Sequence, residues 1–401
     1  MTPTPPSKGT VLLAFSGGLD TTFCALWLQA EGWNVATITV DTGGFGAAEL
    51  ARIKALAAKL GAEHRTVDAR ARLFDGTLKY LLFGNTLRGQ TYPLSVSAER
   101  ICQARLVAEA ARELGVDAVA HGSTGAGNDQ VRFDVAFQAL LPGLPILAPV
   151  RSLGWSRTQE VAFLAERGIE VPAKTNLYSV NEGLWGSSVG GRETLTSWDA
   201  LPEEAYPGGP VAAPAPVSLR LGFHQGVPVS LDGEALDPVA LIERLNTLGR
   251  AYGLGRGIHL GDTILGIKGR VGFEAPAAHL LIQAHRELEK LVLSGPQLFW
   301  KEQLGQLYGA MLHEGKAFDP LVKDLEAFLA SSQGRVTGEV RMTLHPRVAA
   351  VDGVRSPHSL MDPRIARYGE ENKLWTGEEA AAFGKVFGVA QLLSAQAGEA
   401  S

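Results

Sequence analysis

The stretch VLLAFSGGLDTT, Val11 to Thr22, decides the fold of the first part of this chain. Its apolar run Val11–Phe15 predicts a buried strand, and a Ser-Gly-Gly segment then leads into a predicted helix over Thr21–Glu31. Glycines let an oxygen-rich ligand approach the main chain, and a helix N-terminus carries partial positive charge. The stretch therefore predicts a phosphate-binding loop, although it has neither the spacing nor the lysine of a Walker loop. The alternative is a tight turn in which Asp20 or Thr21 caps the helix.

Strand and helix patterns alternate as far as residue 150, which predicts a doubly wound α/β domain with a parallel sheet covered by helices on both faces. The further strands predicted in this part are Val35–Val40, His64–Ala69, Val116–Gly122 and Leu144–Val150. The further helices are Ala47–Leu60 and Ala98–Leu114, each followed by a glycine that suits a helix C-terminus.

Beyond about Lys174 the pattern is mixed, with two hairpins around four helices, which predicts an α+β second domain. A proline- and glycine-rich stretch, Leu201–Pro216, predicts an irregular segment, and an alanine-rich amphipathic helix is expected from Thr376 to about Gln396. The predicted parts are a mobile tail at 1–9, an α/β domain with the phosphate-binding loop at 10–172, an α+β domain at 173–365, and a C-terminal helical segment at 366–401.

Composition excludes several classes of protein. The chain has 401 residues, of which 45% are hydrophobic and 20% charged, as in an ordinary globular protein. Its net charge of −5 argues against nucleic acid as a partner. The two cysteines, Cys24 and Cys102, lie in apolar helical patterns and predict reduced core residues of a cytoplasmic protein. No apolar run reaches the ~18 residues of a membrane span, so no membrane partner is expected.

A second glycine-rich stretch, HGSTGAGNDQVRFD from His121 to Asp134, follows a predicted buried strand. It therefore lies at the carboxyl end of that strand, where open α/β sheets bind ligands. Asn128 or Asp129 can cap a helix that begins near Gln130, and Arg132 projects from the first turn. The residue types predict a site for a zwitterion, in which N–H groups and Thr124 meet a carboxylate, Asp129 an ammonium and Arg132 a second carboxylate. The alternative is a capped helix with a solvated Arg–Asp pair.

These motifs resemble those of a known enzyme family. SGGLDT resembles the pyrophosphate loop of the adenine-nucleotide α-hydrolase-like ligases, and the longer HGSTGAGNDQVRF string closely resembles the argininosuccinate synthase family within that group. The resemblance runs from about residue 10 to 395 in family order. Its other motifs are YPLSVSAERICQAR (Tyr92–Arg105), YSVNEGLWGSS (Tyr178–Ser188), PEEAY, FHQGVPVSLDG, IKGR (Ile267–Arg270) and RSPHSLM (Arg355–Met361).

The resemblance implies an enzyme that joins citrulline and aspartate and cleaves ATP to AMP and pyrophosphate through a citrulline adenylate. It implies ATP with Mg²⁺ as substrate, no permanently bound cofactor or protein metal site, and a homotetramer braced by the C-terminal helix. By the same resemblance, residues 10–172 form the ATP-binding domain, 173–365 the substrate and multimerisation domain, and 366–401 the oligomerisation helix. Asp20, Asp129 and Arg132 are the expected catalytic residues. ATP would contact Ala14, Phe15, Ser16, Gly17, Gly18, Leu19, Asp20, Thr21, Thr22, Val40 and Gly122. Citrulline would contact Tyr92, Ser97, Asn128, Arg132, Ser179, Ser188, Gly261 and Phe273. Aspartate would contact Thr124, Asn128 and Asp129.

The sequence departs from the family pattern at several of these positions. Gly261 and Phe273 stand where the family has a citrulline-binding glutamate and a tyrosine. Asn181 and Gly183 replace an aspartate and an asparagine, Gly44 replaces a glutamine, and Phe15 stands where tyrosine is common. Two interpretations remain open: Asp262 replaces the glutamate, or the chain is a branch with another ureido substrate.

Two other classes fit the first loop alone. A tRNA-thiolating enzyme would share the pyrophosphate loop, but it needs exposed cysteines and a basic surface. A nucleotide-sensing relative would keep the loop and lose the substrate stretch, whereas Thr124, Asn128, Asp129 and Arg132 are all present.

Overall fold

The computed structural model of the chain describes residues 8–170, 178–212 and 215–398. The chain forms two compact units, Met1–Pro357 and His358–Ser401. The predicted tail at 1–9 falls mostly outside the described residues, and the predicted domain boundary between 172 and 173 falls wholly outside them.

The first unit contains a five-stranded parallel sheet with the order β3-β2-β1-β4-β5. The five predicted strands are confirmed, but β4 and β5 are much shorter than predicted, and Pro149 and Val150 begin a helix and do not end a strand. Because β2 and β4 flank β1 on opposite sides, the order of the sheet reverses at β1, which is where open α/β sheets bind ligands. The strands are β1 (Thr10–Ala14), β2 (Asn34–Asp41), β3 (Glu63–Asp68), β4 (Ala118–Ala120) and β5 (Ile146–Leu147).

Eight helices belong to this part of the chain as the structure describes it. The predicted helices correspond to α1, α2 and α5, and the helix predicted to begin near Gln130 corresponds to α6. A π-helical turn at Phe74–Leu78 joins α3 to α4. The helices are α1 (Leu19–Ala30), α2 (Ala47–Lys59), α3 (Arg70–Leu73), α4 (Lys79–Phe83), α5 (Ser95–Leu114), α6 (Asp129–Leu140), α7 (Pro149–Leu153) and α8 (Arg157–Ala165).

Strand β1 is buried on both faces, as its apolar run predicts. Val11 and Leu13 join a core cluster with Phe23 of α1 and Ile53 of α2. Leu12 faces the opposite way, into a larger cluster that also contains residues of the second half of the unit, such as Leu281. Since successive side chains of a strand point to opposite faces, one short strand links both cores. The two halves of the first unit therefore share a continuous apolar interior.

The second half of the first unit contains two antiparallel sheets and four long helices, as an α+β pattern predicts. One sheet has the order β10-β9-β8-β13-β14 and includes both predicted hairpins. The other, with the order β11-β12-β7-β6, was not predicted. The strands are β6 (Ser179–Asn181), β7 (Ser187–Gly190), β8 (Val217–His224), β9 (Val227–Leu231), β10 (Glu234–Ala235), β11 (Arg256–Asp262), β12 (Lys268–Glu274), β13 (Gly338–His345) and β14 (Val348–Arg355). The helices are α9 (Pro238–Ala251), α10 (Pro276–Val292), α11 (Gly295–His313) and α12 (Pro320–Ser332).

The second unit contains a two-stranded ribbon followed by helices. The ribbon pairs β15 (Ala366–Arg367) with β16 (Glu371–Asn372). The single helix predicted from Thr376 is two helices, α13 (Gly377–Phe387) and α14 (Val389–Gly398), which meet at Gly388. Glycine favours such an interruption because it stabilises a helix least of the residues other than proline. None of the described helices in the chain is long and apolar enough to cross a membrane.

Candidate functional site

The residues predicted to bind ATP converge on the carboxyl ends of three adjacent strands. Ala14 ends β1, Val40 lies near the end of β2, and Gly122 follows β4 closely. The remaining candidates form the turn between β1 and α1 and the first turn of α1, and the hydroxyls of Ser16 and Thr21 lie 3.2 Å apart. The structure therefore brings together residues that are more than a hundred positions apart in sequence.

The close approach of backbone in this turn depends on two glycines. Gly17 has a φ of +64°, which side chains rarely adopt, and an added Cβ would lie 2.9 Å from Ile53 Cγ1. A Cβ on Gly122 would lie 3.2 Å from the backbone nitrogen of Thr21. Because these positions carry no side chain, the amides at the start of α1 stay accessible to a phosphate.

Asp20 and a second carboxylate, Glu160 of α8, interact at the start of α1. Glu160 is 1% exposed, and its Oε2 has no hydrogen-bond partner among the described residues. Burial, reinforced by the charge of Asp20, raises the pKa of Glu160 to about 7. Two interacting carboxylates, one with a free buried oxygen, suit a cation carried in by a bound nucleotide. The described residues hold no group of three or more His, Cys, Asp or Glu that would form a protein metal cage.

Asp129 forms ion pairs with two arginines from different elements. Its Oδ2 accepts from Arg100 Nε of α5 at 2.8 Å, and its Oδ1 accepts from Arg132 Nη1 at 2.9 Å. Burial acts to raise the pKa of Asp129, but the two guanidinium groups hold it below its usual value. Asp129 is therefore an ionised ion-pair partner and a poor general base.

The cap predicted for α6 is wrong. The helix begins at Asp129, and Asn128 makes no side-chain capping bond. Asn128 Oδ1 instead accepts from the backbone nitrogen of Ile264, at 2.9 Å, in the loop between β11 and β12. The alternative of a solvated Arg–Asp pair is also wrong, because Arg132 is 5% exposed and donates to the carbonyl of His313. The start of α6 is thus fixed by tertiary contacts that a local pattern does not contain.

Several residues predicted to bind citrulline lie around the four-stranded sheet. Phe273 of β12 pairs in register with Ser188 of β7, and the Tyr92 ring packs against Phe273 with centroids 5.5 Å apart. Ser97 is buried on α5, and its Oγ has no hydrogen-bond partner among the described residues. Ser179 is exposed at the start of β6. Thr124, predicted to bind aspartate, is also exposed, in the loop before α6.

Family models match almost the whole chain. The Arginosuccinate synthase N-terminal HUP domain matches residues 10–170, and the Arginosuccinate synthase C-terminal domain matches residues 178–393. The chain belongs to the argininosuccinate synthase family. Relatives named argininosuccinate synthase include one from Xanthomonas campestris, 42% identical over 97% of this chain and 99% of its own length. Another, from Methanocaldococcus jannaschii, is 38% identical over 90% of this chain and 92% of its own length.

Three departures from the argininosuccinate synthase pattern lie in one place. A Cβ on Gly44 would lie 2.0 Å from the carbonyl oxygen of Glu182, so the family's glutamine does not fit here. A Cβ on Gly183 would lie 1.8 Å from Glu99 Oε1. Asn181 Oδ1 accepts from Arg100 Nη2 at 3.1 Å. The loop at 181–184 therefore lies close against the end of β2 and against α5.

Glu99 and Arg100 lie beside the candidate site and were not predicted as part of it, although both lie inside the Tyr92–Arg105 motif. Glu99 is 2% exposed, and its Oε1 has no hydrogen-bond partner among the described residues. Burial raises the pKa of Glu99 to about 8, although Arg100 opposes the rise. At neutral pH this carboxyl is therefore mostly protonated. The sequence Ser97–Arg100 places an acidic residue on an otherwise apolar helix face, and this pattern could have identified Glu99 as a candidate.

The structure does not support Asp262 as a replacement for the family's glutamate. Its carboxylate forms an ion pair with Lys268 at 2.6 Å and is 62% exposed. Gly261 and Asp262 are consecutive residues of β11, so their side chains point to opposite faces. A Cβ on Gly261 would lie 2.6 Å from His259 Nε2, which places His259 on the face of Gly261.

Both cysteines are buried, as predicted. Burial raises the pKa of the Cys24 thiol to about 12 and that of Cys102 to about 11. Neither thiol is a reactive nucleophile at neutral pH, which disfavours thiolation chemistry.

We expect Glu160→Gln to change the pH dependence of stability. The pKa of Glu160 is raised from 4.5 to about 7, so the folded state binds the proton more tightly. The protonated carboxyl of Glu160 therefore adds to the free energy of unfolding in full below pH 4.5, and this contribution is lost as the pH rises through 7. The thermal midpoint of Glu160→Gln, relative to wild type, should therefore rise between pH 5 and pH 8 in scanning calorimetry. The matched control is Glu166→Gln, whose side chain is 76% exposed. An equal pH profile for Glu160→Gln and wild type would contradict the assignment.

We also expect Gly44→Ala to destabilise the protein and Gly46→Ala to be tolerated. The Cβ added at Gly44 meets a backbone carbonyl, whereas the one added at Gly46 meets nothing within 4 Å. Overpacking against backbone costs about 1–3 kcal/mol. Thermal denaturation of the two variants tests this, and equal midpoints would show that the loop at 181–184 can move away.

Proposed function

We propose that this chain is an ATP-dependent ligase that joins citrulline to aspartate and releases AMP and pyrophosphate. The observation that carries the proposal is the convergence of the glycine turn after β1, Gly122 after β4, and the Asp129 ion pairs on one edge of the parallel sheet. This edge can hold a nucleotide triphosphate beside a site for charged amino acids.

In this proposal ATP lies along residues 14–22, with its phosphates over the amides at the start of α1. Val40 and Gly122 line the two sides of the nucleotide. Asp20 contacts the Mg²⁺ that accompanies the phosphates, and the free Oε2 of Glu160 supports that position. Mg²⁺ is commonly held by one or two carboxylates and by substrate phosphates, so a protein metal cage is not needed. When bound, the ion neutralises charge on the phosphates.

The chemistry has two steps. The ureido oxygen of citrulline attacks the α-phosphorus of ATP, and the bond to pyrophosphate breaks. The amine of aspartate then attacks the ureido carbon, AMP leaves with the oxygen, and the amine loses a proton. Holding the reactants in place can contribute roughly 7–11 kcal/mol towards each barrier, so the residues act mainly by positioning and by charge.

Asp129, Asn128 and Thr124 bind aspartate in this proposal. The lowered pKa of Asp129 keeps its carboxylate charged, which suits an ion pair with the aspartate ammonium. Arg132 binds the citrulline carboxylate together with Tyr92, Ser97, Ser179 and Ser188. The unpartnered Oγ of buried Ser97 supports this part of the proposal, because a buried hydroxyl without a partner is costly unless a ligand satisfies it.

The proposed assembly is a cytoplasmic homotetramer. Within the second unit, α13 and α14 expose a set of apolar side chains that a partner copy would cover. They are Phe383, Val386, Phe387, Leu392 and Leu393.

An isotope experiment tests the proposed reaction. With aspartate, ATP and citrulline labelled at its ureido oxygen, we expect the label in AMP and none in pyrophosphate. Removal of divalent cations with a chelator should stop pyrophosphate release. Formation of ADP and phosphate, or unlabelled AMP, would contradict the adenylation mechanism.

Light scattering on the full chain tests the assembly. Phe383 and Phe387 are 66% and 73% exposed, and their rings stack with centroids 5.3 Å apart. The double variant Phe383→Ser with Phe387→Ser should reduce the mass from a tetramer to a smaller species, because it removes apolar area from the proposed contact. Lys385→Ser, on the same helix, is the control. A monomeric wild type would refute the homotetramer.

A further inference from the structure

His259 occupies the space that the family's glutamate would need. A Cβ on Gly261 would lie 2.6 Å from His259 Nε2, and one on Gly89 would lie 3.0 Å from His259 Cε1. The imidazole ring stacks on Tyr92, a proposed citrulline contact, with centroids 5.8 Å apart and planes at 21°. Two glycines and an aromatic ring thus enclose this imidazole on the substrate face of β11.

The Nε2 atom of His259 has no hydrogen-bond partner among the described residues. The same is true of Arg88 Nε. Buried polar atoms normally find partners, so two unpaired ones beside a proposed substrate contact indicate a place for polar groups of a ligand. Arg88 is fixed in this cluster, because its Nη2 donates to the carbonyl of Asp262 at 3.0 Å.

This end of the site differs from the family pattern in charge as well as in shape. Burial and Arg88 lower the pKa of His259, and burial lowers that of His313 to about 3, so both imidazoles are neutral. Of the carboxylates considered above, Asp262 points away, Glu99 is mostly protonated, and Asp129 is shared by two arginines. A glutamate is thereby replaced by neutral imidazoles beside a guanidinium.

We propose that His259 replaces the glutamate as the group that contacts the α-nitrogen of the ureido substrate, and that the chain therefore also accepts Nα-acyl citrulline. A carboxylate favours an ammonium and disfavours an uncharged amide there. A neutral imidazole can accept from the N–H of an amide, and the guanidinium of Arg88 can donate to the amide carbonyl, whereas neither group offers an ion pair to an ammonium. The inference rests on the proposed function, and the ureido oxygen reacts with ATP as it does in citrulline.

The test compares kcat/KM for citrulline and for Nα-acetylcitrulline, with ATP and aspartate saturating. In the wild type we expect the two values to lie within about tenfold of each other. The double variant His259→Ala with Gly261→Glu makes room for a carboxylate and restores it, and should shift the ratio towards citrulline by about tenfold or more. His259→Ala alone should raise the KM for both ureido substrates and leave the KM for ATP unchanged.

Two further variants separate a substrate contact from a structural role. His259→Gln keeps a hydrogen-bonding group and should retain most of the wild-type affinity for the ureido substrates. His224→Gln, at an exposed position in another sheet, is the matched control and should behave as wild type.

The outcomes distinguish failure of this inference from failure of the proposed function. Normal turnover of citrulline with rejection of Nα-acetylcitrulline would overturn the inference and leave the proposed function intact. An unchanged KM for both ureido substrates in His259→Ala would also overturn it. If folded wild-type protein releases no pyrophosphate with either ureido compound, the proposed function itself is wrong, and the inference fails with it.

Discussion

The carboxylate of Asp129 is the interaction on which the rest of the site depends. It joins Arg100 of α5 to Arg132 of α6, and Arg132 continues the connection through the carbonyl of His313 at the end of α11. Removing this carboxylate would leave two largely buried guanidinium groups without their common partner, which costs several times more than an exposed ion pair contributes. One side chain therefore both contributes charge to the candidate site and connects the α/β half of the first unit to the half that follows.

The same pairing limits what Asp129 can do chemically. A carboxylate held by two cations has a lowered pKa and does not readily accept a proton. Binding and orientation of a cationic amine are compatible with that state, whereas general-base catalysis is not. The environment of Glu160 is the opposite, because burial and a neighbouring carboxylate raise its pKa. A cation bound beside Glu160 would lower that pKa again. The two carboxyl groups thus differ in the direction of their pKa shifts, which is upward for Glu160 and downward for Asp129.

Local chemistry made much of this site predictable from sequence, and long-range contacts made the rest unpredictable. The parallel strands and the glycine turn at Gly17 follow from short apolar runs and from backbone geometry, which a few neighbouring residues encode. The Arg132–His313 contact joins residues 181 positions apart and has no local signal. Strand β11 was missed because its residues are nearly all half-buried and show no clear alternation. The contact of Asn128 with Ile264 likewise replaced a cap that the local pattern favoured.

At three of the positions that depart from the family pattern, a neighbouring group occupies the volume that the family's side chain would need. At 44, 183 and 261 a side chain is absent, and the carbonyl of Glu182, the carboxyl of Glu99 and the imidazole of His259 fill the three spaces. Residues in such contact do not contribute independently, so restoring one family residue alone creates an overlap and does not restore the family's site. At 261 the chemistry also changes, because the imidazole of His259 lies where the family's carboxylate would be. A glycine at a binding position is therefore informative about specificity only together with the neighbour that occupies its space.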